Sequence, residues 1–516
     1  MASRMNGRGP RRWGTVLVVG AGAAASLGAA EGRQAPRAAA DTLSSAAWLS
    51  RLPDGEEKRR FILDCTGCHQ FDARIAMPND TARSEAAWHE AVERMLRYAG
   101  ATTPFPVISA RREPAPTARW LAASLAAGNA PARKAPPPAT GRADVTEFPM
   151  PVARDLPHDV AVDSGGQVVI TGMFTDRMYV LDPATGRMAE VPIPVERANP
   201  RAVEIDRAGD WWVVLGAPNK LARYRPASRE WRLYDAGMYA HSVALGADGA
   251  AWVNGHFTRA PELVARVTAD SAVTPHELPP HPTLAAGPGG PVPYEIRTAP
   301  DGRVWMSELH GNRIVSYDPA TSRSRAYDMP TAHSGPRRFD VDARGVLWIP
   351  AYAANALVRF DPAAERFEEI PLPLRDVAPY VARADARTGA VWIGTGAADV
   401  VLRFEPATRR FTAYPLPSRG AMVRHLAIDR RTGDVWAAYG ASPGIPARVA
   451  RIRARGEART TRDEGRGERH EGGRGKRRPP DTPTEHAVSR KQLPLAPALA
   501  PSLTLVRARA VRRPVR

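Results

Sequence analysis

Seven times between residues 169 and 436 a short apolar run opens on valine or tryptophan, at Val169, Trp212, Trp252, Trp305, Trp348, Trp392 and Trp436. The steps between them are 43, 40, 53, 43, 44 and 44 residues. A near-constant period of this length marks a repeat architecture, in which one unit cannot bury its apolar face alone and stacks on copies of itself. About a dozen residues after the marker come turn signals such as Leu181-Asp182-Pro183-Ala184-Thr185-Gly186, Tyr317-Asp318-Pro319, Phe360-Asp361-Pro362 and Phe404-Glu405-Pro406, which join two strands of a hairpin. A third marker closes the unit, as in Val191-Pro192-Ile193-Pro194, Ile370-Pro371-Leu372-Pro373 and Tyr414-Pro415-Leu416-Pro417. Proline there suits an outermost strand, which has no ladder partner to lose. Four short strands per unit and seven units predict an all-β seven-bladed β-propeller, with the tryptophans packed between blades. Phe148-Pro149-Met150-Pro151 is a closing marker with no blade before it, and the seventh unit ends at Val449-Ala450-Arg451-Ile452 without one. The N-terminal strand is therefore expected to complete blade seven. The step of 53 predicts a surface insertion, placed at the Pro- and Gly-rich residues 278–293.

The net charge of +18 invites a nucleic-acid reading until it is located. Residues 1–40 carry +5 and residues 451–516 carry +11, which leaves +2 for everything between. The part that folds is nearly neutral, so no nucleic-acid partner is expected. The basic tail from about residue 453 has no apolar period and reads as disordered.

Arg4, Arg8, Arg11 and Arg12 precede an apolar run from Trp13 to Ala30 that ends in small residues, the pattern of an export signal. The expected location is the periplasm. The run is short for a spanning helix, and a retained N-terminal membrane anchor is the alternative.

Both cysteines of the chain lie in Cys65-Thr66-Gly67-Cys68-His69. C-x-x-C-H is the attachment sequence of c-type haem: the thiols add to the vinyl groups, and the adjacent histidine ligates the iron. A redox dithiol, half a zinc site and a structural disulfide are the alternatives; zinc would want two more ligands at regular spacing, and a disulfide needs no histidine there. Helices are predicted at 55–64 with Asp54 as N-cap, at 84–99 with Trp88, Val92, Met95, Leu96 and Ala99 on one stripe, and at 117–127. Three short helices around this pentad resemble a small all-α class I cytochrome c domain, which implies haem c as cofactor and a redox partner protein. His69 is the expected axial ligand and Met95 the sixth, in preference to Met77 and His89. A stiff Pro-rich linker at 129–143 separates this domain (41–128) from the propeller (144–452), after a leader at 1–40 and before a tail at 453–516.

The repeat Pro-His-x-[Ile/Val], Asp-x-x-Gly-x-x-Trp-x-[Ser/Thr]-Glu, Asp-Pro-x-Thr-Gly, Pro-Leu-Pro resembles that of the virginiamycin B lyase-like family. That resemblance implies an elimination at an ester by a histidine base with Mg²⁺ held by glutamate at one mouth of the central channel. The family's histidine position holds His158, Arg201, His241, Tyr294, Arg337, Tyr380 and Arg424 in blade order, and its glutamate position holds Gly172, Leu215, Gly255, Glu308, Ala351, Thr395 and Tyr439. His158, His241 and Glu308 are the catalytic candidates that the resemblance carries over, with His256 beside them. Three arginines in the histidine position suggest a mouth that attracts an anion. Two functions follow: an exported, monomeric electron-transfer haem protein whose propeller binds a partner or a small-molecule substrate at the channel mouth, or a metal-assisted carbon–oxygen lyase with an accessory cytochrome domain.

Overall fold

Each repeat is a four-stranded antiparallel sheet, and seven such sheets form a closed β-propeller. The computed structural model describes residues 44–103, 106–126, 141–255, 260–270, 272–440 and 446–455. The export signal, most of the Pro-rich linker, His256 and the basic tail beyond residue 455 lie outside the described residues. Blades one to six take their strands from 157–192, 200–235, 240–277, 293–328, 340–371 and 379–415. Blade seven takes three from 423–454, and its outermost strand is Ala143–Pro149, paired residue for residue with Ala454 back to Arg448. The ring is thus closed by the first strand after the linker, which covers the edge that Arg448–Ala454 would otherwise present.

The marker residues do what their spacing predicts. Trp212 shares an apolar cluster with Val243 and Val253 of the next blade, Trp305 with Leu347 and Ile349, Trp392 with Leu426 and Ala437, and Trp436 with Val160 and Ile170 across the seam. These tryptophans therefore join the core that each blade shares with its successor, and burial of such large apolar faces is the main force holding the ring. Proline ends the outermost strands at Pro192, Pro371 and Pro415, where no neighbour needs the missing N–H.

Ahead of the propeller the described residues form five α-helices, α1 (Ser45–Leu49), α2 (Glu56–Cys65), α3 (Ala73–Ala76), α4 (Glu85–Ala99) and α5 (Pro114–Ser124), with a 3-10 turn at Pro78–Asp80. Among the described residues no helix is long and apolar enough to cross a membrane. Ser84 caps α4, accepting from the Ala87 N–H, and the Gly100 N–H ends the helix on the Leu96 carbonyl. The boundaries shift from the pattern-based expectation: α2 covers 56–65 instead of 55–64, α4 starts at 85 instead of 84, and α5 covers 114–124 instead of 117–127. The N-cap of α2 is Gly55, with φ at 142°, because the Asp54 carboxylate turns instead to Lys58, 2.9 Å away. The last helix starts three residues early, because Pro114 is already suited to a first-turn position.

The helices and the propeller belong to one compact unit. Phe61, Leu63, Phe71, Trp88 and Leu121 share a single apolar cluster with Tyr294, Trp348, Tyr352, Tyr380 and Ile393 of blades four to six. Polar contacts pin the same seam: Lys58 Nζ lies 2.8 Å from Asp376, Ala46 N donates to the Ala397 carbonyl, and Gln70 Nε2 donates to the Gly396 carbonyl. Gly335, at φ +64°, lies beneath Leu63, where an added Cβ would stand 2.7 Å from Leu63 Cδ1. Glycine there permits both the turn and the close approach of α2. The insertion at 278–293 reaches up beside the helices, with Arg111 Nη2 donating to the Thr283 carbonyl.

Candidate functional site

In six blades the innermost strand is irregular at one place. The register shifts at His158, Arg201, His241, Tyr294, Tyr380 and Arg424, and in blade five the ladder is reduced to two residues beyond Arg337. These are the residues of the histidine position. A bulge re-aims a side chain out of the strand's alternation, and here it turns one residue per blade toward one end of the channel. The residues of the glutamate position lie opposite: Pro157 pairs with Gly172, Pro200 with Leu215, Pro293 with Glu308 and Pro379 with Thr395.

That end of the channel is where the Cys65–His69 turn sits. Tyr352 Oη donates to the Thr66 carbonyl at 2.9 Å, and Arg424 Nη2 donates to the Cys68 carbonyl at 2.6 Å. An added Cβ on Gly67 would stand 2.5 Å from Arg337 Nη2, so any larger residue would displace that guanidinium. Both cysteines are free thiols. Burial is the main cause that pushes the Cys65 thiol up to about 12 and also raises that of Cys68, although Cys68 remains accessible to solvent. A redox dithiol depends on a lowered thiol pKa, and these are displaced the other way. The His69 ring meets the Gln70 carbonyl through Nδ1 at 3.1 Å, a contact that restrains the ring. Met95 is half-buried on α4, and Met77 is half-buried against the shared apolar cluster. His89 faces Glu93 at 3.9 Å.

Below the mouth the channel is lined with charge. Arg338, fully buried, lies 2.8 Å from Asp159. Arg297 reaches Glu295 at 2.6 Å and Glu204 at 3.1 Å, and Arg383 contacts Glu295 and the His425 ring. Burial lowers His158 to about 4 and His425 well below its ordinary value, so both are neutral at pH 7. His158 donates from Nδ1 to the Arg201 carbonyl at 2.6 Å, and His241 from Nδ1 to the Tyr294 carbonyl at 2.8 Å. Each of these histidines thereby ties its blade to the next, with the two rings edge to face at 5.6 Å between centroids. Sequence reasoning passed over Asp159, Ser242, Glu295, Arg338 and His425. They follow the histidine position directly, and reading that adjacent column would have found them.

The comparisons bear on this architecture. Residues 285–462 match the family model of the virginiamycin B lyase family. Among solved structures, the fold is similar to a streptogramin B lyase, with 19% identity, 61% of this chain and 98% of that chain covered, and a TM-score of 0.53. It is equally similar to virginiamycin B lyase from Staphylococcus aureus (19% identity, 60% and 99% covered, TM-score 0.53) and to a catalytically inactive histidine-to-alanine form of that enzyme with quinupristin, at the same figures. No curated protein matches the chain. At this identity the likeness is one of fold, and function has to be argued from the site.

The lyase family's metal meets a poor donor set here. Glu308 is buried and forked by Arg313, with Oε2 2.5 Å from Nε and Oε1 2.9 Å from Nη2. The remaining Arg313 donors go to the Pro279 and Pro280 carbonyls. Among the described residues no three His, Cys, Asp or Glu side chains group as a metal site. Mg²⁺ wants several oxygen ligands, and the one family-position carboxylate is spent on an internal ion pair, so the residues present do not fit it.

The neighbour of that pair offers a pH test. Glu262, buried beside Glu308, accepts from the Val292 N–H at 3.3 Å, and burial, with Glu308 adding to it, raises its carboxyl to about 8. A raised acid stabilises the fold in its neutral form. That contribution is complete below pH 4.5 and is lost as pH rises through 8. Glu262→Gln is expected to flatten this fall, gaining on the order of 3 kcal/mol over the parent at pH 8.5 in urea denaturation. Parallel pH profiles for the two proteins would refute it.

Proposed function

We propose that the chain is an exported c-type haem protein that exchanges electrons with a redox partner protein, its lyase-like propeller serving as the binding domain for that partner or for a small-molecule substrate. The observation that carries this reading is the placement of the pentad. Cys65, Cys68 and His69 stand together in the turn that ends α2, with one thiol accessible and the imidazole oriented through Nδ1.

The surroundings suit a macrocycle. Phe61, Phe71, Trp88 and Trp120 are grouped around the turn, with Phe61 5.1 Å from Phe71 and 5.6 Å from Trp120 between centroids. Trp88 Nε1 is buried with no protein partner, an N–H donor of the kind a bound polar edge would satisfy. Cys65 and Cys68 would hold the haem, and His69 and Met95 would ligate its iron. Bound there, haem supplies a one-electron couple. The protein's part is to orient the histidine and to surround the site with apolar side chains.

The lyase reading comes second. The family match and the shared fold favour it. It lacks the carboxylates for a cation, and the Cys65–His69 turn sits over the mouth where a substrate would enter.

The deciding experiment is a haem stain of full-length protein matured in a periplasm, run after denaturation and acid extraction. Covalent haem in the parent and its loss in Cys65→Ala/Cys68→Ala are expected. Met95→Ala should then remove the thioether-to-iron absorption band; removal by Met77→Ala instead would reassign that ligand. A parent band without haem would overturn the reading, and a robust streptogramin lyase rate lost in His241→Ala would put the second function first.

A further inference from the structure

The channel has two charged layers, and in only one of them do the arginines described face carboxylates. In the deeper layer Arg297, Arg338 and Arg383 face Glu204, Glu295, Asp340 and Asp159 within 3.6 Å. In the layer at the mouth Arg337 and Arg424 are each 3% exposed, and their contacts are neutral. Arg337 Nη1 donates to Tyr294 Oη at 2.8 Å, and its guanidinium carbon lies 4.0, 4.5 and 5.1 Å from the ring centroids of Tyr352, Tyr380 and Tyr294. Arg424 donates to the carbonyls of Gly440 and Cys68. Two buried cations held by carbonyls and phenols leave net positive charge, and burial keeps salt from screening it.

That charge faces the attachment turn. Arg337 touches Gly67, and Arg424 holds the Cys68 carbonyl. Tyr380 reports the same field: burial raises its phenol, and Arg337, Arg424 and Arg338 outweigh burial, so the net displacement is downward.

We propose that Arg337 and Arg424 form a cationic collar through which the propeller raises the reduction potential of a haem carried on Cys65 and Cys68. The inference rests on the haem reading above. Reduction adds one electron to the haem, supplied by the redox partner, and removes one positive charge from it. A fixed cation nearby therefore favours the reduced form, and a lower net positive charge favours the oxidised one. A unit charge within ~10 Å at an effective dielectric of ~20 changes such an equilibrium by roughly tenfold. Arg337 and Arg424 are positioning residues in this scheme, acting through the field at the turn.

The test is a spectroelectrochemical titration of full-length, haem-loaded protein. Arg337→Gln and Arg424→Gln are each expected to move the midpoint negative, raising the ferric-to-ferrous ratio at the parental midpoint roughly tenfold, while Arg337→Lys stays near the parent. Tyr352→Phe removes the hydroxyl that donates to the Thr66 carbonyl without changing charge, and its midpoint should not move. Unmoved midpoints in the glutamine variants, or an equal shift in Tyr352→Phe, would overturn the proposal. So would loss of covalent haem in both glutamine variants with retention in Arg337→Lys, which would assign the arginines to attachment. Absence of haem in the parent defeats the underlying reading instead, so the two failures are distinguishable.

Discussion

Replacing Ala143–Pro149 by an equal-length Gly/Ser segment is expected to cut soluble yield several-fold and to lower the thermal midpoint of the remainder by about 5–10 °C. The swap keeps the length of the tether between helices and propeller and removes only the strand. Three losses combine. The ladder to Arg448–Ala454 disappears along its whole length, leaving those residues as an open edge. Phe148 leaves the face of Trp436, 5.7 Å away. Glu147 no longer binds Ser418, whose N and Oγ lie 2.9 and 2.8 Å from it, nor Tyr439 Oη. Those Glu147 contacts join blade seven to the loop leaving blade six, so the damage reaches beyond one sheet. A synthetic peptide of residues 141–151 added in trans should recover part of the midpoint. A Gly/Ser variant that melts with the parent would show that the ring does not depend on this seam.

The seam was legible because proline and tryptophan carry position with them. A Pro-x-Pro marker before the first blade and its absence after the last imply that the two ends share a sheet, and the register bears this out residue for residue. The inter-blade role of the tryptophans was legible for a similar reason: a large apolar side chain at a fixed period can only face a copy of its own unit. The arrangement of the helices was not. Their amphipathic stripes locate α4 well, yet nothing in a stripe tells which surface will cover it. The Pro-rich stretch reads as a spacer between independent domains. In the structure, Phe61, Phe71 and Trp88 share their cluster with Tyr352 and Tyr380, some 280 residues further along, a pairing that only long-range geometry reveals.

The candidate site divides along the same line. The Cys65–His69 pentad is contiguous, so the chemistry proposed for it rests on the sequence pattern itself. The column of His158, Arg201, His241, Tyr294, Arg337, Tyr380 and Arg424 was found by its repeat position, but the meaning of its members depends on what stands opposite. Glu308 looked available for a cation until Arg313, five residues on, proved to hold both its oxygens. Arg337 and Arg424 looked like a welcome for an outside anion, and the structure sets the chain's own Cys65–His69 turn against them.

Arg338→Met is expected to cost about 3–5 kcal/mol at pH 7, the scale for stranding one member of a buried ion pair. Arg338 is fully buried and its volume is roughly kept by methionine, so the cost measures charge more than packing. Its partner Asp159 is raised by burial, and the field of Arg338, the largest opposing cause, helps to leave it lowered on balance. For a lowered acid the stabilising term is present above the unfolded value of 3.8 and is lost as pH falls below it. In the variant, Asp159 loses its main cation and can recover neutrality only by binding a proton, so the penalty should be largest near pH 7 and shrink toward pH 4.5. Arg338→Met/Asp159→Leu removes both charges, and the double variant should be clearly more stable at pH 7 than Arg338→Met alone, because no buried carboxylate is left unpaired. Urea denaturation at pH 7 and pH 4.5 reads both comparisons. A single-variant cost below about 1 kcal/mol, or a double variant no better than the single, would mean that water or the neighbouring Arg383 already neutralises Asp159 and that the deeper layer is not held together by this pair.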